Sequence, residues 1–578
     1  MKLMRHSYFA LVVLLLVAVV VSACGAPAAT PAPATEAPAA EEPAVEEEAA
    51  AEEPAAEEAV EEEAVAEEPA AEAEPKQLRV TFSWPTAIDP AVGSDFSSTT
   101  ALANVYDTLV FPNTAGGVDP WLADDWSASD DGLTWTFNLK QGVKFHDGTE
   151  LLASDVAYSM NRFLTIGEGF AYLFLDLVES TTAVDDYTVE FKLSQPSGLF
   201  LPSLARLYVL NEDLVRENTK AEGAYGDDGD YGRDWLLVND AGSGAYVVTE
   251  FPLEEYVAME KNTDWWGTFV ENSPDVLRMI GTTETATIRT LMANRELEIT
   301  DQWQTIEALE ALQEIDGVDV AAFSNLTAFY FMVNTKLAPT DDIHCRRAMA
   351  YAFDYAQSVG LEWPGTEAMV GPVPQALGGH NPDVTVFTRD LDKAQEELAQ
   401  CQYADELDQY PIEFEWISEV PDEEKFALLF QANMADIGVT VDIVSTPWMS
   451  VVENTSQLET SPHIVSIYVT SDLPEAGPML KQRFHSSTAP TWSQNEWLEN
   501  EAFDAGLDEA LATLDQDERF EKYKVLQAEL ADAAPSIFVY DQVEKHGYQT
   551  YLDWPAARGE VYPMQGYNIL GFNISINQ

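Results

Sequence analysis

The strongest constraint on what this chain can fold into is a break in composition at Pro75. From Gly25 to Pro75 the sequence is almost wholly Ala, Pro, Glu, Val and Thr, with no aromatic and no basic residue. Such a stretch cannot bury enough apolar surface to offset the entropy of ordering, so it is expected to stay unfolded. Its glutamates repel one another and its prolines stiffen it, which makes an extended spacer; an acidic interaction tail is the alternative. Any compact fold is therefore expected to begin at Lys76.

Ahead of the spacer, Lys2 and Arg5 precede an apolar run from Phe9 to Val21, the layout of a secretion signal. The run ends in Val21-Ser22-Ala23-Cys24, which resembles the lipobox of bacterial lipoproteins, whose cysteine is lipidated and becomes the new N-terminus. Residues 1–23 are thus read as a signal peptide, Cys24 as the lipidation site and 24–75 as a tether. The protein is expected outside the cytoplasm, periplasmic or on the outer face of the cell membrane, touching the membrane through its lipid only. A spanning helix is the alternative, since the run is near the minimum length for crossing.

The formal charge is −71, and setting aside the 17 glutamates of the tether and the two basic residues of the leader leaves −56 on 76–578. Nucleic acid and anionic membrane surfaces are excluded as partners, because both need a basic face. The acidity reads either as a solvated surface, adapted to salt, or as attraction for a cationic ligand. Some 500 residues exceed one ordinary domain, so two or three are expected. Thr134-Trp135-Thr136-Phe137-Asn138-Leu139 alternates like a strand, whereas Asp390 to Gln400 and Glu518 to Leu530 carry helical periodicity. The class is α/β.

Catalytic signatures are missing: there is no GxSxG, HExxH or P-loop, and the seven histidines are scattered without metal-ligand spacing. No cofactor and no metal are expected. A carboxylate pair brought together by the fold cannot be read from sequence, so an enzyme stays open as a third reading. His146-Asp147 is read as turn and packing residues, with a catalytic pair as the alternative.

Several blocks in a fixed order resemble one family. They are Ala87-Ile88-Asp89-Pro90; Val105 to Leu109; Leu122 to Trp126 with Asp130-Asp131-Gly132 through Lys140 and Val143 to Asp147-Gly148-Thr149; Gly242-Ser243-Gly244-Ala245-Tyr246; Glu260 to Trp266; Thr340 to Asp354; and Phe503-Asp504 through Ala533-Ala534-Pro535 to Tyr540. This is similar to the family 5 extracellular solute-binding proteins of ABC importers, the oligopeptide-, dipeptide- and nickel-binding class. The resemblance covers essentially all of 76–578.

The resemblance implies a two-lobed periplasmic-binding-protein-like α/β fold (type II, the large cluster C form), with an additional subdomain in the first lobe and a hinge between lobes. The expected division is 76–112, 239–300 and 535–578 for the first lobe, 113–238 for its subdomain and 301–534 for the second. Crossings are expected near Ile299–Trp303 and Pro535–Tyr540. It also implies a monomeric, non-enzymatic receptor that captures a solute in the cleft and hands it to the permease.

In peptide-binding relatives an aspartate after a tryptophan-containing strand pairs with the ligand ammonium, and Asp472 falls at that position. Tyr468 replaces the usual Trp, and the family's second Asp-Pro has become Glu475-Ala476. Tyr468 and Asp472 are therefore candidate ligand contacts, as is Trp448 in Pro447-Trp448-Met449. A turn cap before Pro474 is the alternative for Asp472, and core packing for Trp448. The cargo is read as a peptide-type solute, with an oligosaccharide or other small solute as the alternative. Once Cys24 is lipidated, Cys345 and Cys401 are the remaining cysteines, and outside the cytoplasm such a pair reads as one disulfide, with two buried free thiols as the alternative.

Overall fold

The computed structural model describes residues 75–82, 87–253, 255–282, 284–418, 420 and 422–578. The signal peptide, Cys24 and all of the tether but Pro75 lie outside the described residues. The described residues form one compact unit.

The first lobe is built on a four-stranded sheet. Gln77–Phe82 runs parallel to Val276–Gly281, which pairs antiparallel with Tyr256–Lys261, followed by Tyr246–Glu250. Beside it, Ala123–Ala128, Thr134–Leu139, Thr188–Leu193 and Val178–Asp185 form an antiparallel sheet covered by the helix Ala153–Ile166. This layer has its own core around Phe137, Val189 and Phe191.

The family-like blocks serve short-range jobs here. Gly132 closes its turn at φ +70°, a backbone angle that costs glycine little. Asp89 takes a two-pronged bond from the wholly buried Arg162, at 2.6 Å for each prong. Gly242 and Gly244 let the loop touch the Val105 backbone, where a Cβ would collide. The helix Ala153–Ile166 has Leu152 as its N-cap. Asp155 accepts from the N–H groups of Leu152 and Glu212, so a contact from Glu212, 57 residues on, fixes the helix start.

The second lobe centres on a six-stranded sheet in the order Glu367–Ala368, Ser536–Gln549, Val318–Val333, Ile464–Thr470, Ile412–Ile417, Val441–Thr446. Its central strand is apolar on both faces. Phe329, Phe331 and Val333 enter one core and Ala328, Tyr330 and Met332 the other, as the period of two requires in a sheet covered on both sides. Cys345, inside the first turn of Ile343–Ala352, and Cys401, beyond Leu391–Leu398, form a disulfide with Cα atoms 5.2 Å apart.

Two long strands join the lobes. Val318–Val333 and Ser536–Gln549 pair antiparallel, with a register shift between Ser324 and Ala328. On one side of the shift Ala321 and Phe323 pack in the first-lobe core, and on the other Phe329 packs in the second. Ile299 still bridges Val80 and Tyr548. Ile299 therefore lies in the first-lobe core, whereas Trp303 is exposed, and the long strand enters the second core only after Phe323.

Candidate functional site: the interlobe cleft

Where the ribbon passes between lobes, two adjoining cavities open, of about 620 Å³ and about 240 Å³, the size range of small-molecule sites. They share Gln302, Trp303, Tyr468 and Gln542. The larger is walled by Trp448, Trp492, Ile417 and Ile467 of the second lobe, with Glu362, Glu423 and Lys545 among its polar lining. The smaller has Phe96, Tyr562 and Gln565 from the first lobe facing Thr327 and Thr470 from the second.

The residues singled out in the sequence separate here. Tyr468, on the strand Ile464–Thr470, lines both cavities, and its hydroxyl lies 2.6 Å from that of Tyr540. Trp448 opens the helix Trp448–Asn454, lines the larger cavity and meets Trp492 edge-on at 5.0 Å between ring centres. Asp472 is half-buried and lines neither cavity. Its carboxylate accepts from the Tyr172 hydroxyl of the first lobe, and the Arg206 guanidinium donates to its carbonyl at 3.3–3.4 Å. Burial raises the Asp472 carboxyl above its ordinary range, while Tyr172 and Arg206 pull it back. The neighbouring Leu473 is fully buried in the subdomain core, so the loop bearing Asp472 docks onto the opposite lobe.

The cleft also holds charges that sequence reasoning did not single out. Glu362 is shared by Lys545 at 3.3 Å, Lys425 at 3.4 Å and the Tyr540 hydroxyl at 3.4 Å. Glu423 is wholly buried, and its carboxylate accepts from the Ile417 N–H at 2.9 Å and the Ser466 hydroxyl at 2.8 Å. Burial pushes it up to about 8 against those two bonds, so it is mainly protonated at neutral pH. Trp303 is 59% exposed within the cleft, and a bare indole in a lined cavity was detectable in sequence only as a tryptophan next to the expected crossing. Tyr172, Arg206 and Lys545 gave no local signal, because their hydrogen-bond partners lie from 183 to 359 residues away.

The profile of the bacterial extracellular solute-binding proteins, family 5, matches residues 117–491. The chain belongs to that family. Among curated relatives of this family 5 protein, a probable D,D-dipeptide-binding periplasmic protein of Escherichia coli is 28% identical over 470 residues, covering 79% of this chain and 87% of the relative. Heme-binding protein A of Haemophilus influenzae is 25% identical, covering 85% and 91%. In fold, the family 5 chain is similar to an ABC transporter substrate-binding protein of Listeria monocytogenes, with a TM-score of 0.75, 20% identity and coverage of 87% and 100%. It is also similar to a periplasmic binding protein of Helicobacter pylori in complex with a peptide, with a TM-score of 0.68, 22% identity and coverage of 87% and 99%. These relatives are binding proteins, and no helix among the described residues is long and apolar enough to cross a membrane.

Proposed function

We propose that this chain is the receptor lipoprotein of an ABC importer, that it captures a short peptide-type solute between its lobes, and that it delivers the solute to the permease. The observation that carries this is the two-part cleft at the ribbon, flanked by an aspartate whose side-chain partner comes from the other lobe. In this reading 1–23 is the signal peptide, Cys24 the lipid anchor and 24–75 the tether of a monomer without catalytic activity. The lobes divide as 76–112, 239–300 and 535–578 against 301–534, with 113–238 as the subdomain and the ribbon shared between them. Asp472 receives the solute's ammonium, releasing Tyr172, while Tyr468 and Trp448 border the bound solute. Ligand affinity for the closed form drives closure.

A second reading, an oligosaccharide cargo, draws on the three indoles of Trp303, Trp448 and Trp492 in the larger cavity, since aromatic faces combine contact area with polar tips. Native mass spectrometry of the protein purified from its own cells, followed by calorimetry with dipeptides, tripeptides and oligosaccharides, separates the two. Saturable binding of free-amine peptides is expected. Binding of oligosaccharides alone would overturn the peptide reading.

A further inference from the structure

The subdomain touches the second lobe at a place apart from the cleft. Two of its turns, one at Gly132 and one at 196–199, face segment 511–514, where the helix Glu501–Ala512 gives way to the helix Gln516–Ala533. The Gly198 N–H donates to the Leu511 carbonyl at 2.8 Å, and Leu199 packs against both the subdomain core and a second-lobe core. We propose that these turns are a clasp: they hold the second lobe against the subdomain whether or not the cleft carries a cargo, so the lobes part only when the clasp lets go. The inference rests on the lobe division proposed above.

Glycine is what lets the two sides come this close. Gly198 has no positive φ, so its backbone angle would accept another residue, yet a Cβ there would collide with the Thr513 carbonyl oxygen and the Arg519 guanidinium. Close approach of backbone to backbone is then the job glycine does at this position. On the other turn, a Cβ on Gly132 would fall 2.8 Å from Leu514 Cδ1. Leu514 is 38% exposed and belongs to none of the buried cores; what it covers is the Gly132 turn.

The second-lobe side is built beforehand. Arg519, held by the fork of Glu475, also donates to the carbonyls of Thr513 at 2.9 Å and Leu514 at 3.2 Å, which fixes the loop in the shape that meets Gly198. None of Gly132, Gly198, Leu199, Leu511, Thr513 and Leu514 lines either cavity of the cleft. A contact made without cleft residues has no preference between cargoes. By favouring the closed form it raises the cost of opening for all of them alike.

The test is hydrogen exchange at amide resolution, with small-angle X-ray scattering, on the whole secreted chain after native mass spectrometry has confirmed an empty cleft. In the wild type the Gly198 amide should exchange at least about a hundredfold more slowly than an unbonded amide, yet faster than the amides of the strand Val318–Val333, since it opens with the lobes and not with the fold. Leu514→Ser should speed that exchange at least about tenfold. Both Leu514→Ser and Gly198→Ala should raise the radius of gyration while leaving the circular dichroism unchanged. Free exchange at Gly198 in the wild type, or unchanged scattering in both variants, would overturn the clasp and leave the lobe division standing. Loss of the circular dichroism signal in both variants would make the contact part of the fold itself and sink the clasp as well. If Gly198 and the cores of both lobes exchange together as one unit, the lobes do not move separately, and the division falls with the inference.

Discussion

Asp472 and Glu475 lie three residues apart in one segment, yet their surroundings differ in kind. Glu475 is almost wholly buried, and its two oxygens take the fork of Arg519 at 3.0 and 2.9 Å, with the Tyr523 hydroxyl at 3.1 Å. All three residues belong to the second lobe. Asp472 is half-buried and its carboxylate is met by Tyr172 from the first lobe. A carboxylate satisfied within its own lobe holds the fold whatever the cleft does. One whose partner comes from across the cleft can exchange that partner when the lobes part. Glu423 is a third case, a buried cleft carboxyl bonded to an amide and a hydroxyl and kept protonated by burial.

The contrast can be broken by substitution, and the expected effects on stability fall in order. Glu475→Ala strands a buried arginine and should cost about 3–5 kcal/mol in urea unfolding; a loss below about 1 kcal/mol would make Glu475 no more structural than Asp472.

Glu423 should give an effect that depends on pH. Its folded-state pKa, about 8, lies above its ordinary 4.5, so the folded chain keeps a proton that the unfolded chain has released. Stability should therefore fall as pH rises from about 4.5 to about 8 and level off above that, by on the order of 5 kcal/mol. Glu423→Gln should flatten this slope in melts across the range, and an unchanged slope would assign it to other groups.

Asp472→Asn should change stability by less than about 1 kcal/mol, because one exchangeable bond is at stake. The same variant should lower the affinity for free-amine peptides at least tenfold and leave N-acetylated ones unaffected. Equal affinity for both peptide forms in the wild type would remove the ammonium role. Smallest of all, deleting Ala28 to Ala73 should move the melting point and affinity within error, below about 0.5 kcal/mol, and a larger loss would mean that the spacer packs on the receptor.

Much of the architecture was legible in the residues because its causes are local. The alternation of Thr134 to Leu139 is a strand with the expected bounds, and Asp390 and Asp515 cap the helices read from periodicity, accepting from Lys393 and Glu518. His146, beside Asp147 in sequence, instead bonds to Asp240 at 2.6 Å, 94 residues on, a partner that no spacing rule supplies.

By itself the sequence determined which turns and caps punctuate the fold and which family its ordered blocks match, since period and turn chemistry act over a few residues. Tertiary structure alone decided that Tyr172 meets Asp472 across 300 residues, that Trp303 stands bare in the cleft, and that Lys545 is the one cation among the described lining residues. The physical reason is that a cleft is made where distant strands pass each other, and the charge, water exclusion and reach of a side chain there are set by neighbours that the chain brings together only on folding.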